Sequence, residues 1–383
     1  MEYFDNAAST RVLEKAARAA LDVMINRYGN ASSLHRLGLE SHEILNSCRK
    51  EIAKFYLRKG SEIIFTSGAT ESSNIAIFGA TKRNRKKKKI ITSVVEHKAT
   101  ENCLNYLEQK GYEIVRIKPR GNIFYAEDFA DCVDENTLMI SVMHVNNENG
   151  LILPVEDIAK MVKRVNEEIL VHVDAAQSFL KLPLNLDNID LLSASGHKVN
   201  APKGIGFLFA KKGTKISPIS YGGGQEFLLR PGTQATALIK AFEVAVKYHV
   251  EQRDSLEKKY KELKEIFVES LKENERIYFN FNDSCISSIV NISVKGIRSQ
   301  VFLQALEEKG FLVSSGAACS KNKDNKTLIN LGYSKERADT AVRISFGIET
   351  TKEKVLRLID AINYVEKTVL KYCWDYVFFI LIL

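Results

Sequence analysis

Short apolar runs alternate with helical patterns along residues 12–209. Brief stretches of mostly apolar residues predict strands, and apolar residues spaced three and four apart predict helices. The predicted strands are 62–66, 90–93, 113–117, 139–142, 169–173 and 205–209, and the predicted helices are 12–26, 71–81, 99–109 and 155–166. This alternation is typical of an α/β fold with a mostly parallel sheet flanked by helices. Ligands of such folds bind at the carboxyl ends of the strands.

A different pattern begins near residue 234. Residues 233–295 contain neither glycine nor proline, and helix formers dominate 234–272. This stretch predicts one long helix, suited to a bridge between two domains. Beyond it the pattern predicts strands at 287–294 and 340–345 and helices at 299–309 and 352–367. We therefore predict a large domain over 10–255 and a smaller α+β domain formed by 1–9 and 256–383.

Composition indicates a soluble globular protein. The chain has 383 residues, of which 45% are hydrophobic and 27% are charged. Its six cysteines form no CxxC pair, which argues against a disulfide framework and against a zinc site. We predict a reducing, cytoplasmic setting and no bound metal. The N-terminus has no secretory pattern, and the apolar stretch 376–383 is too short to span a bilayer, so no membrane partner is predicted.

The net charge of +8 is concentrated in one basic run at residues 82–89. Such a run is typical either of a nucleic-acid patch or of a solvated loop between a helix and a strand. No aromatic platform and no recognised nucleic-acid motif accompanies it, so we favour the loop and expect no direct nucleic-acid partner.

The strongest chemical signal is Lys198, at the end of Ser195-Gly196-His197-Lys198. Asp174 precedes it, at the end of a predicted strand. A lysine becomes a covalent catalyst when its pKa is lowered or when it already forms an imine. An aspartate that pairs with a ring nitrogen is one of the groups that tune pyridoxal 5'-phosphate (PLP). Together the two residues predict a PLP-dependent enzyme.

A second signal is Cys319, in the small-residue segment 314–320, which lysines follow. Nearby lysines favour the thiolate, the reactive form of cysteine, whereas structural cysteines prefer an apolar core. We interpret Cys319 as a reactive thiol on an exposed, mobile loop. The other five cysteines are interpreted as structural or incidental.

Several further residues each allow two interpretations when they are considered singly. Segment 65–71 is either a plain helix cap or a phosphate site at a helix N-terminus. Its position after a predicted strand and the presence of Lys198 in the same chain favour the phosphate site. His97 could stack on an aromatic cofactor or be an ordinary loop residue. Asn147 and Gln177 could contact a cofactor or serve local turns. Arg343 could clamp a substrate carboxylate or form an ordinary ion pair, and we favour the clamp.

Taken together, these segments resemble the cysteine desulfurases, the NifS/IscS-like branch of the class V aminotransferase family. The resemblance covers nearly the whole chain. Its motifs lie at 3–10, 28–35, 66–72, 96–98, 143–148, 172–178, 195–198, 222–226, 230–233, 314–320 and around Arg343. It implies the PLP-dependent fold type I, with a seven-stranded sheet in the large domain.

The resemblance also implies roles for individual residues. On the cofactor, Lys198 would carry PLP, Asp174 would pair with the pyridine nitrogen, and His97 would stack on the ring as a catalytic residue. The remaining cofactor contacts would be Asn147, Gln177, Ala69, Thr70, Ser195, His197 and, from the neighbouring subunit of a homodimer, Thr233. Arg343 and Asn147 would bind the substrate, and Cys319 would attack its sulfur.

The implied activity is conversion of L-cysteine to L-alanine, with the sulfur held as a persulfide on Cys319. Lys198 would act as the general base. The acceptor would be an iron–sulfur scaffold or a tRNA-thiolation protein. Two alternatives remain: a sibling PLP enzyme, such as a selenocysteine lyase or an aminotransferase, and a non-catalytic scaffold of the same fold. Ala317, Pro231 and the tail 371–383 depart from the pattern of the family.

Overall fold

The computed structural model describes the backbone of residues 1–315 and 326–382, and their side chains except at 61, 326 and 370–382. Cys319, residues 316–320 of its predicted loop and the side chains of the tail lie outside the described residues. Ser314, the first residue of that segment, is buried and forms a β-bridge with Arg343. The chain divides into two compact units. The sheet unit comprises Thr10–Val145 and Leu153–Arg253, and the second unit comprises Met1–Ser9, Asn146–Ile152 and Asp254–Leu383.

The described residues form twelve strands and eleven α-helices. The strands are β1 (Glu2–Tyr3), β2 (Ile63–Thr66), β3 (Lys89–Ser93), β4 (Glu113–Ile117), β5 (Thr137–Met143), β6 (Leu170–Asp174), β7 (Leu191–Ser195), β8 (Gly206–Ala210), β9 (Ile277–Phe279), β10 (Ile289–Val294), β11 (Phe311–Leu312) and β12 (Ala341–Ser345). The helices are α1 (Glu14–Asn26), α2 (Arg36–Phe55), α3 (Ala69–Arg83), α4 (Lys98–Gln109), α5 (Ala126–Ala130), α6 (Val155–Val165), α7 (Thr236–Leu271), α8 (Ser299–Glu308), α9 (Lys326–Asn330), α10 (Lys335–Asp339) and α11 (Lys352–Ile382).

The sheet unit contains the predicted seven-stranded sheet, in the order β2-β8-β7-β6-β5-β3-β4. β4, β3, β5, β6 and β7 are parallel, whereas β8 runs antiparallel to both of its neighbours. The prediction of a mostly parallel α/β sheet is therefore confirmed. Every residue of β2, β3, β5 and β7 is buried, as expected for strands covered on both faces.

The second unit has the α+β composition predicted for it. Its sheet has the order β12-β10-β9 and is antiparallel, and a short parallel pair joins β1 to β11. Its hydrophobic core includes Phe267, Phe302, Leu358 and Ile362, which are completely buried side chains from three helices. The N-terminal strand therefore belongs to the same unit as the C-terminal helices.

Several elements differ from the sequence prediction. The short elements β1, β9, β11, α5, α9 and α10 were not predicted. The apolar pattern did not predict β7, because serines interrupt its buried run Leu-Leu-Ser-Ala-Ser. It also omitted α2, which buries only a narrow face that includes Ile44, Cys48 and Ile52. The last helix continues to Ile382 rather than ending at 367. In the described part of the chain, no helix combines the length and the apolar character needed to cross a membrane.

The basic run 82–89 connects α3 to β3, as the loop interpretation predicts. The lysines at its two ends form polar contacts with other parts of the chain. The Lys82 ammonium donates to the carbonyl of Pro218 at 2.9 Å, and the Lys89 ammonium pairs with Asp134 at 2.9 Å. Lys89 is buried, so only the middle of the run is an open basic surface.

Candidate active site

The carboxyl ends of β5, β6 and β7 carry the main candidate residues of the sheet unit. In the parallel register, Asp174 at the end of β6 lies opposite Met143 on β5 and Ser193 on β7. The backbone N–H of His144 donates to the carbonyl of Asp174 at 2.9 Å. Because parallel strands end at the same edge, residues far apart in the sequence meet here.

Asp174 is a buried carboxylate, with only 4% of its surface exposed. Its Oδ1 accepts a hydrogen bond from the backbone N–H of Ala176 at 2.9 Å. Burial raises the pKa of Asp174, while the charges of His97 and Lys198 oppose that rise. Charges affect the pKa of a carboxyl group in this way only when they lie near it. The side chains of His97 and Lys198 therefore lie near the Asp174 carboxylate.

His97 is the N-cap residue of α4, and its Nδ1 accepts from the backbone N–H of Ala99 at 3.1 Å. A neutral imidazole that accepts through Nδ1 carries its proton on Nε2. Loss of hydration among the surrounding atoms lowers the pKa of His97; Asp174 opposes this change and Lys198 adds to it. His97 is nevertheless among the exposed residues of the chain.

Lys198 lies in a single 3-10 turn, Gly196–Lys198, directly after β7. The turn is anchored by the backbone N–H of Gly196, which donates to the carbonyl of Ile205 at 2.9 Å. Lys198 and His197 are both half-buried. Burial, with help from the charges of Lys198 and two further lysines, lowers the pKa of His197 to about 4, so its ring is neutral near pH 7.

The turn between β2 and α3 forms a narrow cradle. Gly68 has a φ of +154°, which side chains rarely adopt, and α3 begins at the next residue, Ala69. A Cβ added to Gly68 would lie 3.3 Å from the hydroxyl oxygen of Ser195. A Cβ added to Gly206 would lie 2.6 Å from the Cα of Gly68, so β8 also approaches the turn closely. Thr70 is exposed in the first turn of α3.

These features fit the phosphate of PLP. The start of a helix offers backbone N–H groups to an anion, and a glycine at the N-cap permits close approach. The Ser195 hydroxyl adds a donor beside the same turn. Gln177 is buried and lies three residues after the end of β6. Thr233 is exposed, next to Gly232, whose φ is +107°.

Asn147 and Arg343 belong to the second unit. The Arg343 guanidinium is buried and pairs with the carboxylate of Asp5 at 2.6 Å. It also donates to the backbone carbonyl of Asn147 at 2.7 Å, and its Nε has no hydrogen-bond partner among the described residues. The ion pair that the sequence left open as an alternative is therefore present. A carboxylate-binding role stays a prediction.

Two residues of this edge were missed by the sequence analysis. His144 is buried and directly follows β5; burial lowers its pKa to about 4, and its Nδ1 has no hydrogen-bond partner among the described residues. Glu96, beside His97, accepts through Oε1 from the Ser93 hydroxyl and, at 3.0 Å, from the backbone N–H of Met143. The only sequence signal for either was its position next to a strand end.

Glu96 joins the end of β3 to the end of β5 through these two hydrogen bonds. Its second oxygen, Oε2, is buried without a hydrogen-bond partner in the described chain. Burial raises the pKa of Glu96 to about 8, and the nearby carboxylates of Asp174 and Glu101 also raise it. The folded protein therefore holds Glu96 largely protonated at neutral pH.

Replacing Glu96 with glutamine is expected to stabilise the protein increasingly as the pH rises from 4.5 to about 8. Over that interval the folded state binds a proton that the unfolded chain has released, so the stability contributed by this proton is complete below pH 4.5 and is lost as the pH approaches the folded-state pKa. Glutamine does not ionise and keeps an acceptor for Met143. Thermal unfolding at a series of pH values measures the difference in Tm.

The exposed Glu135 offers the matched control for this measurement. Glu135→Gln should leave a small difference from the parent protein that does not grow over the same interval. A pH-independent difference for Glu96→Gln would show that Glu96 is not the buried acid described above.

The cysteines with described side chains are Cys48, Cys103, Cys132 and Cys285, and all four are free thiols. Burial raises the pKa of Cys103 to about 11, and it also raises the pKa values of Cys48 and Cys285. Thiols of this kind are poor nucleophiles, because the thiolate is the reactive form. Only Cys132 is half-buried.

Comparison with known proteins gives a consistent picture. The family model "Aminotransferase class-V" matches residues 2–358. A Bacillus subtilis (strain 168) protein named "Putative cysteine desulfurase IscS 1" is 34% identical over 92% of this chain and 95% of its own length. A Rickettsia typhi (strain ATCC VR-144 / Wilmington) protein named "Cysteine desulfurase IscS" is 36% identical over 92% of this chain and 88% of its own length.

Solved structures with the same fold include one described as "NIFS-LIKE PROTEIN". Its TM-score is 0.90 and its identity 32%, and the match covers 97% of this chain and 99% of that structure. A second, described as "SspA in complex with cysteine", has a TM-score of 0.79 and 33% identity over 90% of this chain and 99% of that structure. The fold similarity thus extends over nearly the whole chain.

Proposed function

The chain belongs to the class-V aminotransferase family, and from this premise we propose that it is a PLP-dependent cysteine desulfurase that acts on L-cysteine. The observation that carries the proposal is the convergence of Lys198, Asp174 and His97 at the carboxyl edge of the parallel strands. A covalent lysine, a buried acid and an aromatic face are the groups that PLP chemistry requires.

Bound PLP supplies an electron sink for the carbon skeleton of the substrate. In this proposal Lys198 holds the cofactor covalently, and Asp174 pairs with the protonated ring nitrogen. The cost of burying the Asp174 carboxylate, seen in its raised pKa, is offset by such a cationic partner. His97 provides a ring face for stacking, and its neutral form avoids repulsion from that cation.

The phosphate would bind at the cradle formed by the start of α3. Backbone N–H groups at Ala69 and Thr70 and the Ser195 hydroxyl are the donors that support this assignment. His197 would contribute a further contact from the Lys198 turn. Thr233 would reach the phosphate in the neighbouring subunit of a homodimer, as its exposed position permits.

Lys198 would also move the substrate proton. As a free amine, Lys198 would take the proton from the substrate Cα and later return a proton to carbon. Asn147 and Gln177 would contact the cofactor, and Asn147 would also contact the substrate. Arg343 would bind the substrate carboxylate, for which its Nε is an unused donor among the described residues.

Cys319 would accept the sulfur. Its thiolate forms an S–S bond with the substrate sulfur while the substrate Cβ–S bond breaks, and the electron pair stays on the carbon skeleton that becomes alanine. The persulfide on Cys319 would then pass its outer sulfur to an iron–sulfur scaffold or a tRNA-thiolation protein. The high pKa values of the buried thiols Cys103 and Cys285 support Cys319 over those two.

The rest of the proposal concerns organisation. Residues 10–255 would form the cofactor-binding domain, and 1–9 with 256–383 would form the small domain that contains Cys319. The free thiols of the four cysteines whose side chains are described are consistent with a reducing, cytoplasmic setting.

The direct test is turnover of L-cysteine by the protein loaded with PLP. We expect alanine and, with a thiol reductant, sulfide in equal amounts, with chromatography of the amino acids and a colorimetric sulfide assay as the measurements. A 2-oxo acid should not be required and should not be aminated; amination without sulfide would identify an aminotransferase. Release of selenide from selenocysteine but no sulfide from cysteine would identify a selenocysteine lyase.

A further inference from the structure

The residue two positions after Lys198 has an unusual backbone conformation. Asn200 has a φ of +60°, in the left-handed region that residues other than glycine rarely enter. It is 3% exposed and lies between β7 and β8, in the sheet unit. Asparagine tolerates this conformation better than most residues, but the conformation alone does not explain why the side chain is buried.

Every polar group of Asn200 takes part in a hydrogen bond. Its backbone N–H donates to the Thr10 hydroxyl at 2.8 Å, and its carbonyl accepts from Leu13 at 3.0 Å. Its side-chain Nδ2 donates to the carbonyl of Arg11 at 2.7 Å, and its Oδ1 pairs with Nε2 of His249 at 2.9 Å. Asn200 therefore ties the chain after Lys198 to segment 10–13 and to α7.

Thr10 links this cluster to the peptide of Lys198 itself. Its backbone N–H and its hydroxyl both donate to the carbonyl of His197, each at 2.9 Å. That carbonyl shares one planar peptide group with the N–H of Lys198. Holding the oxygen therefore fixes the orientation from which the Lys198 side chain departs. The hydroxyl that donates to His197 also accepts from Asn200, so the contacts on both sides of Lys198 are coupled.

His249 completes the cluster from α7. It is buried, and burial together with the charge of Lys181 lowers its pKa to about 4, so it stays neutral at working pH. Since Nδ2 of Asn200 already donates to Arg11, Oδ1 is the acceptor and Nε2 of His249 is the donor. A neutral donor holds the amide without introducing a charge near the lysine.

We propose that Asn200 is a positioning residue for Lys198, acting together with Thr10 and His249 as a clasp on both sides of the lysine. The inference rests on the proposed function, in which Lys198 bonds to PLP and moves the substrate proton. Such proton transfer and bond exchange depend steeply on alignment of the amine, and a displacement of about 1 Å can lower a rate roughly a hundredfold. The clasp supplies that alignment through hydrogen bonds from three separate parts of the chain.

The test compares Asn200→Gly with Asn122→Gly. Asn122 is a matched control, because it also has a left-handed φ, +66°, in the same unit, in the turn that precedes α5. Glycine keeps the backbone conformation at both sites and removes only the side chain. For Asn200→Gly in the PLP-loaded protein we expect kcat to fall about tenfold with KM changed less than about threefold. The pH at which the visible band of the lysine-bound cofactor titrates should also shift.

A second measurement does not depend on turnover. Hydrogen–deuterium exchange of the protein without cofactor should accelerate over residues 196–201 in Asn200→Gly and remain unchanged there in Asn122→Gly. If Asn200→Gly does not fold, Thr10→Val and Thr10→Ser replace it in the same measurements. Valine removes the hydroxyl that connects His197 to Asn200, and serine restores it, so the serine variant should recover the parental titration and kcat.

The outcomes separate the two proposals. If the parent protein forms the visible band and Asn200→Gly titrates and turns over like Asn122→Gly, the positioning role of Asn200 is overturned and the proposed function stands. Equal behaviour of Thr10→Val and Thr10→Ser would overturn it in the same way. If the parent protein forms no visible band with PLP, the proposed function fails, and the role of Asn200 fails with it.

Discussion

Replacing Lys198 with alanine is expected to abolish turnover of L-cysteine, with a fall in kcat of about 10⁴-fold or more. The substitution removes the covalent attachment of PLP and the general base together, and a positioned general base alone contributes roughly 10²–10⁴-fold. Backbone N–H groups donate hydrogen bonds to the side chains of both Asp174 and His97, and these bonds do not involve the lysine. The variant should therefore fold and still bind PLP without a covalent bond.

Two measurements check this expectation. The visible absorption band of the lysine-bound cofactor should disappear, and reduction with borohydride should no longer fix PLP to the chain. Lys212→Ala is the matched control, since Lys212 is an exposed lysine of the same unit, and it should keep the band and the activity. Borohydride-fixed PLP in the Lys198 variant would show that a different lysine carries the cofactor, and the assignment of the site would be wrong.

Replacing Cys319 with serine is expected to leave the visible band intact and to stop sulfur transfer. Serine has nearly the same shape, so binding of PLP and of L-cysteine should change little. Its hydroxyl is a poor nucleophile toward sulfur and cannot store a persulfide, so release of sulfide to a reductant should fall to background. Incubation with ³⁵S-labelled L-cysteine followed by non-reducing electrophoresis measures the sulfur that stays on the chain.

Cys132→Ser is the control for this experiment, because Cys132 is the half-buried thiol among the free cysteines whose side chains are described. That variant should retain full sulfur labelling. Burial raises the pKa of Cys103 and of Cys285, so neither is expected to substitute for Cys319. Labelled sulfur on the Cys319→Ser protein, with alanine formed at the parental rate, would contradict the role of the Cys319 thiol.

Most of the sheet could be predicted from the sequence. The strands β2, β3, β5, β6 and β8 contain short, mostly buried apolar runs, which are visible without any knowledge of the neighbouring strands. β7 could not be predicted in this way, because Ser193 and Ser195 are polar residues in a buried strand. His172 of β6 explains how one of them is accommodated: its ring nitrogens pair with hydroxyls of Ser141 and Ser193, both at 2.8 Å.

Some residues of the candidate site could be predicted from the sequence, and others could not. Lys198 and Asp174 could be predicted because their chemistry is specific and because Asp174 stands at the end of a predicted strand. Glu96 could not, since its importance depends on burial and on the backbone N–H of Met143, which is 47 positions away. An ion pair was one of the two interpretations of Arg343, but its partner could not be predicted, because Asp5 lies 338 positions away in the sequence.

By itself, the sequence determined which elements form and which reactive groups the chain offers, because helix and strand periods depend on residues two to four positions apart. Only the tertiary structure decided which of those groups meet. The strand order places the ends of β5, β6 and β7 side by side, and the clasp around Lys198 joins Thr10 to Asn200 across 190 positions. The physical reason is that hydrogen bonds and charge interactions act over a few ångströms in space, whereas local sequence patterns do not record where the chain returns.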